Sequence, residues 1–273
     1  MTKDVLKEKI IDAQKKVKET RPLAGSITNA VTMNFVANAQ LACGGLAAMV
    51  YLGDEGRYLA SAGNSVYLNM GTLLPVHRES MLATVKALQE MGKTYVLDPV
   101  GVSMGVLKAE ILTNMKTYKP GIIRGNASEI IDLAKLWDLL EKTADEGKSY
   151  VNCVDTNESV EQAQEAAIVL AEYTGGAVAV SGEIDLVTDG QELVRLPGGS
   201  EMMERVTGCG CSLGGVMAVY ACVTDPFVAA VAGTALYNIA GTRAAQKVQG
   251  PGSFYAKFLD EIYLADLKDA KLN

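Results

Sequence analysis

The chain of 273 residues has a single histidine, His77, so a Cys–His dyad or a histidine-bearing zinc site would hang on that one residue. Its place just after Pro75, early in an amphipathic segment, marks it as a surface or capping residue. Cations are in deficit: 25 lysines and arginines against 32 acids leave a net charge of −7, which offers no general attraction for nucleic acid or anionic lipid. An anionic ligand must therefore be held by a local site. No apolar run reaches the roughly 18 residues of a membrane span, and the N-terminal segment sets Leu6, Ile10, Ala13 and Val17 on one helical face in place of a signal-type apolar stretch. Five cysteines, an odd number without an export signal, argue against a disulfide framework and for a reducing, cytoplasmic setting. Internal repeats, low-complexity tracts and linkers are missing too, so a single domain over 1–273 is expected.

What is present is a βα rhythm. The pattern predicts a helix near 30–43, a short apolar run at 47–50 and a strand at 66–70. A helix opened by Pro75 and closed by Gly92 follows, then strands at 94–97, 121–123, near 150–154 and at 177–180, with helices near 105–117, 127–140 and 159–173 between them. The rhythm breaks at 184–196, where Asp189-Gly190 joins two short runs into an antiparallel hairpin at a sheet edge. Beyond a Gly-rich loop the pattern is helical, including segments near 212–223 and 226–247. The expected class is α/β, with a mainly parallel sheet covered by helices on both faces.

In such sheets ligands bind beyond the carboxyl ends of the strands. Three polar residues end apolar runs there: Asp98, Arg124 and Ser181, an acid, a cation and a hydroxyl suited to metal and phosphate oxygens, or to capping the turn that follows. Asn126 and Glu129 stand three apart at a helix start, where they can order waters around Mg²⁺ or form a capping box; the spacing fits both. The segment VTGCGCS at 206–212 runs into an apolar helix, so its glycines and the helix N-terminus suit a phosphoryl group. It is neither a P-loop nor a dinucleotide fingerprint. Cys211, in that first turn, sits where a thiol pKa can fall and a thiolate can accept a proton from an alcohol; alternatively Cys209 and Cys211 are merely small residues in a tight turn. Asn34 and Asn38 share one helix face and Met49 follows two alanines; both suit a small ligand or ordinary packing.

Taken in order, TNAVTMNFVANAQLACGG, LNMGTL, LDPVG, IIRGNASEI, AVSGEIDLVTDG and VTGCGC, spanning 28–211, resemble the motifs of the hydroxyethylthiazole kinase family, of ribokinase-like fold. The resemblance implies a three-layer α/β fold and ATP-dependent phosphorylation of the alcohol of 4-methyl-5-(2-hydroxyethyl)thiazole, with Mg²⁺. It assigns Arg124 and Ser181 to ATP, Met49 and Gly208 to the thiazole, Asp98, Asn126 and Glu129 to Mg²⁺, and Cys211 to the base position. It further implies a homotrimer with sites at subunit interfaces, and no nucleic acid or membrane partner. The departures are Gly25, where the family commonly has a histidine near the thiazole, the stretch VYLGDEGRYLASAGNS after Met49, and SMG at 103–105. They gather on the acceptor side. A kinase for a pyrimidine or sugar alcohol, a degenerate nucleotide-binding homologue, and a cysteine-nucleophile hydrolase or transferase are the alternatives.

Overall fold

A computed structural model describes residues 1–140 and 160–273. The first half runs α1 (Lys3–Thr20), β1 (Leu23–Ile27), α2 (Met33–Ala42), β2 (Leu46–Met49), α3 (Gly53–Ala62), β3 (Ser65–Asn69), α4 (Val76–Glu90) and β4 (Thr94–Asp98). It continues with α5 (Val106–Met115), β5 (Ile122–Asn126), α6 (Ala127–Leu136), α7 (Val160–Thr174), β6 (Ala177–Ser181) and the strands β7 (Ile184–Thr188) and β8 (Leu193–Pro197). Three long helices close the chain: α8 (Cys209–Ala221), α9 (Pro226–Ala245) and α10 (Pro251–Leu264). The strand expected near 150–154 lies outside the described residues.

The eight strands form one sheet in the order β2-β1-β3-β4-β5-β6-β7-β8. Pairing is parallel from β2 through β6, and the β7–β8 hairpin adds two antiparallel strands at the edge, as the Asp189-Gly190 turn predicts. The strands bury both faces, and alternate residues feed two cores. Tyr67, Val96, Ile122 and Ala177 meet α1, α2, α8, α9 and α10 on one side. Val66, Leu68, Leu97, Ile123 and Val178 meet α3 to α7 on the other. The α8–α9 pair is apolar all round because it fills the first of these cores; Asp225 starts α9 by accepting the Val228 N–H at 3.0 Å ahead of Pro226. Among the described residues no helix is long and apolar enough to cross a membrane.

Two elements escape the sequence pattern. β1 reads LAGSI, with a glycine and one β-branched residue in five positions, and is made a strand by its parallel neighbours β2 and β3. α3 begins GDEG, two glycines in the first turn, and is held by packing on α4, whose Thr84 lies where a side chain at Gly56 would be.

Candidate active site

The face-alternation of the strands builds the site. On the α8 side, the positions that bury Tyr67, Val96, Ile122 and Ala179 lead, two residues on, to Asn69, Asp98, Arg124 and Ser181 at the carboxyl ends. Register aligns them: Asn69 pairs with Asp98, and Arg124 with Ala179, two residues before Ser181. Apolar packing thus gives way to a polar row as the strands leave the core, beside the start of α8.

Asp98 is fully buried, and its Oδ2 accepts from Tyr67 Oη at 2.8 Å, Asn69 Nδ2 at 3.1 Å and Arg124 Nη1 at 3.3 Å. Its Oδ1 has no partner. Arg124 also donates through Nη2 to Ser181 Oγ at 3.1 Å, while its Nε is unsatisfied. Burial works against the guanidinium charge, but Asp98 and Glu129 outweigh it and hold Arg124 above its usual range. The guanidinium lies against α8 at Gly210, where a Cβ would stand 2.9 Å from Nη2. The first turn of α8, with N–H groups that have no intrahelical partner, and a buried arginine therefore converge on one spot, which suits an anion. Gly208 caps the helix at φ +97, a conformation glycine adopts without strain, and a Cβ there would press on Phe35 and Thr32.

Asn126 and Glu129 form the capping box: Asn126 Oδ1 accepts the Glu129 N–H at 2.9 Å, and Glu129 Oε2 accepts the Asn126 N–H at 2.9 Å. Glu129 Oε1 takes the Gly101 N–H at 3.2 Å. Burial and then the charge of Asp98 raise its pKa, so the two acids share one environment. Among the described residues no three histidine, cysteine, aspartate or glutamate side chains gather as a metal cluster. A hard cation that keeps most of its water needs fewer, and the bare Oδ1 of Asp98 beside Glu129 fits one.

Cys211 departs from the sequence expectation. Its thiol pKa does not fall at the helix start but is pushed up to about 11, by burial first and the charge of Asp98 second, with Arg124, Asn69 and Thr32 acting in the opposite direction. Asn29 Nδ2 lies 3.9 Å from its Sγ and donates to Asn69 Oδ1 at 2.9 Å, linking the thiol to the polar row. Of the two roles expected for His77 the structure shows capping and excludes the surface: it is buried, accepts the Leu74 N–H through Nδ1 at 2.8 Å, and packs on Tyr51. Burial lowers its pKa.

Asp98, Arg124, Ser181, Asn126, Glu129 and Cys211 are thus one connected cluster with the Gly208 turn beside it. Met49 stands apart at the end of the edge strand β2, paired with Ser26 and packed against the α8-side core. Position 25 faces the opposite side of the sheet from the cluster: a Cβ on Gly25 would lie 2.4 Å from Leu59 Cδ1, so Leu59 occupies the room a side chain would need. Asn34 and Asn38 bond to each other at 3.0 Å on an exposed helix face. Tyr67, Asn69 and Asn29 were not singled out by the sequence reading; Asn69 carried the same signal as Asp98, a polar residue ending an apolar run.

The family model for the hydroxyethylthiazole kinase family matches residues 14–267. A hydroxyethylthiazole kinase of Bifidobacterium animalis subsp. lactis is 46% identical over 267 residues, covering 95% of this chain and 88% of that one. The solved hydroxyethylthiazole kinase of Pyrococcus horikoshii superposes with a TM-score of 0.85 at 30% identity over 97% of this chain and 98% of that one. A ribokinase-like superfamily protein of Enterococcus faecalis, at 11% identity and a TM-score of 0.60 over 94% and 93% of the two chains, shares the fold. With most of its length matched by the family model and close to half its residues identical to a curated relative, the chain belongs to the hydroxyethylthiazole kinase family and has the ribokinase-like fold.

Proposed function

We propose that the protein transfers the γ-phosphoryl group of ATP to the hydroxyl of 4-methyl-5-(2-hydroxyethyl)thiazole, a step of thiamine salvage. The observation that carries the reading is the buried Arg124 set against the glycine-opened start of α8, between Ser181 and Asp98. In this reading Arg124, Ser181 and the first-turn amides of α8 hold the phosphates of ATP. Gly208 and Met49 border the thiazole, and Cys211 faces the alcohol. As the alcohol oxygen bonds to the γ-phosphorus and the bond to ADP breaks, the alcohol proton passes to the Cys211 thiolate. A pKa near 11 makes that thiolate scarce at neutral pH and strongly basic once formed. Asp98, Asn126 and Glu129 would hold a hydrated Mg²⁺, whose charge offsets that of the phosphates.

The chain would work as a single domain in the cytoplasm, in keeping with two cores sharing one sheet and with free thiols at Cys43, Cys209, Cys211 and Cys222. Assembly into a homotrimer is supported by the apolar side chains exposed around the edge strand β2, namely Leu41, Leu46, Leu52 and Tyr58. ADP release from ATP and Mg²⁺, measured with and without hydroxyethylthiazole, tests the function. Thiazole-dependent turnover supports it; ATP binding without such turnover overturns the substrate and leaves another alcohol or a degenerate nucleotide-binding homologue.

A further inference from the structure

Tyr67 is a fully buried member of the cluster to which the proposed chemistry gives no role. Its ring reaches from β3 to α8 and lies against Gly214, where a Cβ would stand 2.3 Å from Cε2, so a glycine in that helix makes room for it. Space-filling accounts for the ring but not for the hydroxyl, since phenylalanine would fill the same volume with no polar atom to satisfy. The hydroxyl is fully committed: it accepts from Asn69 Nδ2 at 2.8 Å and donates to Asp98 Oδ2 at 2.8 Å. Asn69 and Arg124 donate to the same oxygen, so Oδ2 carries three donors and Oδ1 none. A carboxylate anchored through one oxygen presents the other in a fixed direction, which is how hydrogen-bonded partners orient a ligand-bearing acid.

We propose that Tyr67 is a positioning residue for Asp98, tying Oδ2 to β3 so that Oδ1 is the oxygen offered to the phosphate-bearing side of the site. The proposal rests on the reading of Asp98 as a group that organises the divalent ion.

A double-mutant cycle of Tyr67→Phe, Asp98→Asn and the pair tests it, with two readouts: kcat and KM from ADP release, and binding of Mn²⁺ to the ADP-bound protein, followed by the electron paramagnetic resonance of the free ion. Tyr67→Phe is expected to lower kcat roughly 10- to 100-fold, the scale of losing a hydrogen bond to a charged group, to weaken Mn²⁺ binding, and to leave KM for the alcohol unchanged. Added to Asp98→Asn it should cost nothing further in either readout. A Tyr67→Phe protein equal to the wild type, or one whose loss is the same with and without Asp98, overturns the proposal. Asp98→Asn with wild-type turnover and Mn²⁺ binding would instead bring down the reading of Asp98 on which it stands. If phenylalanine at 67 fails to fold, fluorotyrosines at that position keep the shape and strengthen the donor. Mn²⁺ affinity should then follow phenol acidity, and a flat series refutes the positioning role.

Discussion

Exchanging Cys211 for aspartate replaces a thiol that burial and Asp98 push up to about 11 with a carboxyl whose ordinary pKa is about 3.9. At pH 8 a group titrating near 11 is ionised in roughly one molecule in a thousand, since each unit is a factor of ten. If that thiolate is the base, kcat/KM in the wild type should climb about tenfold per pH unit between roughly pH 7 and pH 9. Burial and the neighbouring Asp98 would raise an aspartate at 211 as well, yet even an upward shift of about 3 units leaves most of it ionised at pH 8. The Cys211→Asp profile should therefore be nearly flat over the same range, and Cys211→Ala should lose both the slope and about 10- to 10⁴-fold in kcat. The assay is ADP release at saturating ATP across this pH range, with folding followed by near-ultraviolet circular dichroism. A Cys211→Ala enzyme with the wild-type rate and slope would refute proton transfer to this thiol.

Arg124→Ala should raise KM for ATP about 10-fold or more while changing KM for the alcohol little, and should cost about 3 kcal/mol in urea unfolding because Asp98 and Glu129 lose their shared buried cation; an effect confined to the alcohol would contradict the assignment. Burial pushes the Asp185 carboxyl up to about 6, against the Gly182 N–H that donates to it at 2.9 Å. Its folded pKa lies above the unfolded one, so its contribution is fully present below about pH 3.9 and is lost as pH rises through about 6. Asp185→Asn should consequently gain roughly 1–3 kcal/mol over the wild type above pH 6 and little near pH 4 in urea titrations; a pH-independent difference would refute the linkage. Asp225→Ala removes the cap of α9 and should cost about 1 kcal/mol with kcat unchanged, read from urea midpoints and ADP release.

The parts of the site that follow from strand period and helix-start chemistry are legible in the sequence. Asp98, Arg124 and Ser181 end apolar runs, and the glycines around Cys211 open an apolar helix; the structure gathers them because those strands are neighbours in one parallel sheet. The Asn126–Glu129 spacing was readable as a capping box, and the box forms while Glu129 also shares the environment of Asp98. Less legible are the properties that neighbours confer. Nothing local to Cys211 tells that Asp98 and burial outweigh the helix N-terminus at its thiol. His77 is polar and close to a proline, yet Tyr51 and the Leu74 amide enclose it. β1 is a strand by virtue of its partners, and Tyr67 reads as an ordinary β-former until Gly214, far along the chain on α8, admits its ring.

The most direct test of the central claim follows the γ-phosphate itself. The protein is incubated with ATP labelled in the γ-phosphoryl group, Mg²⁺ and hydroxyethylthiazole, and the products are separated and identified by mass spectrometry. The account predicts that the label appears as a phosphate monoester on the hydroxyethyl oxygen, in step with ADP. Label recovered only in ATP and free phosphate, with the thiazole unchanged, would contradict it.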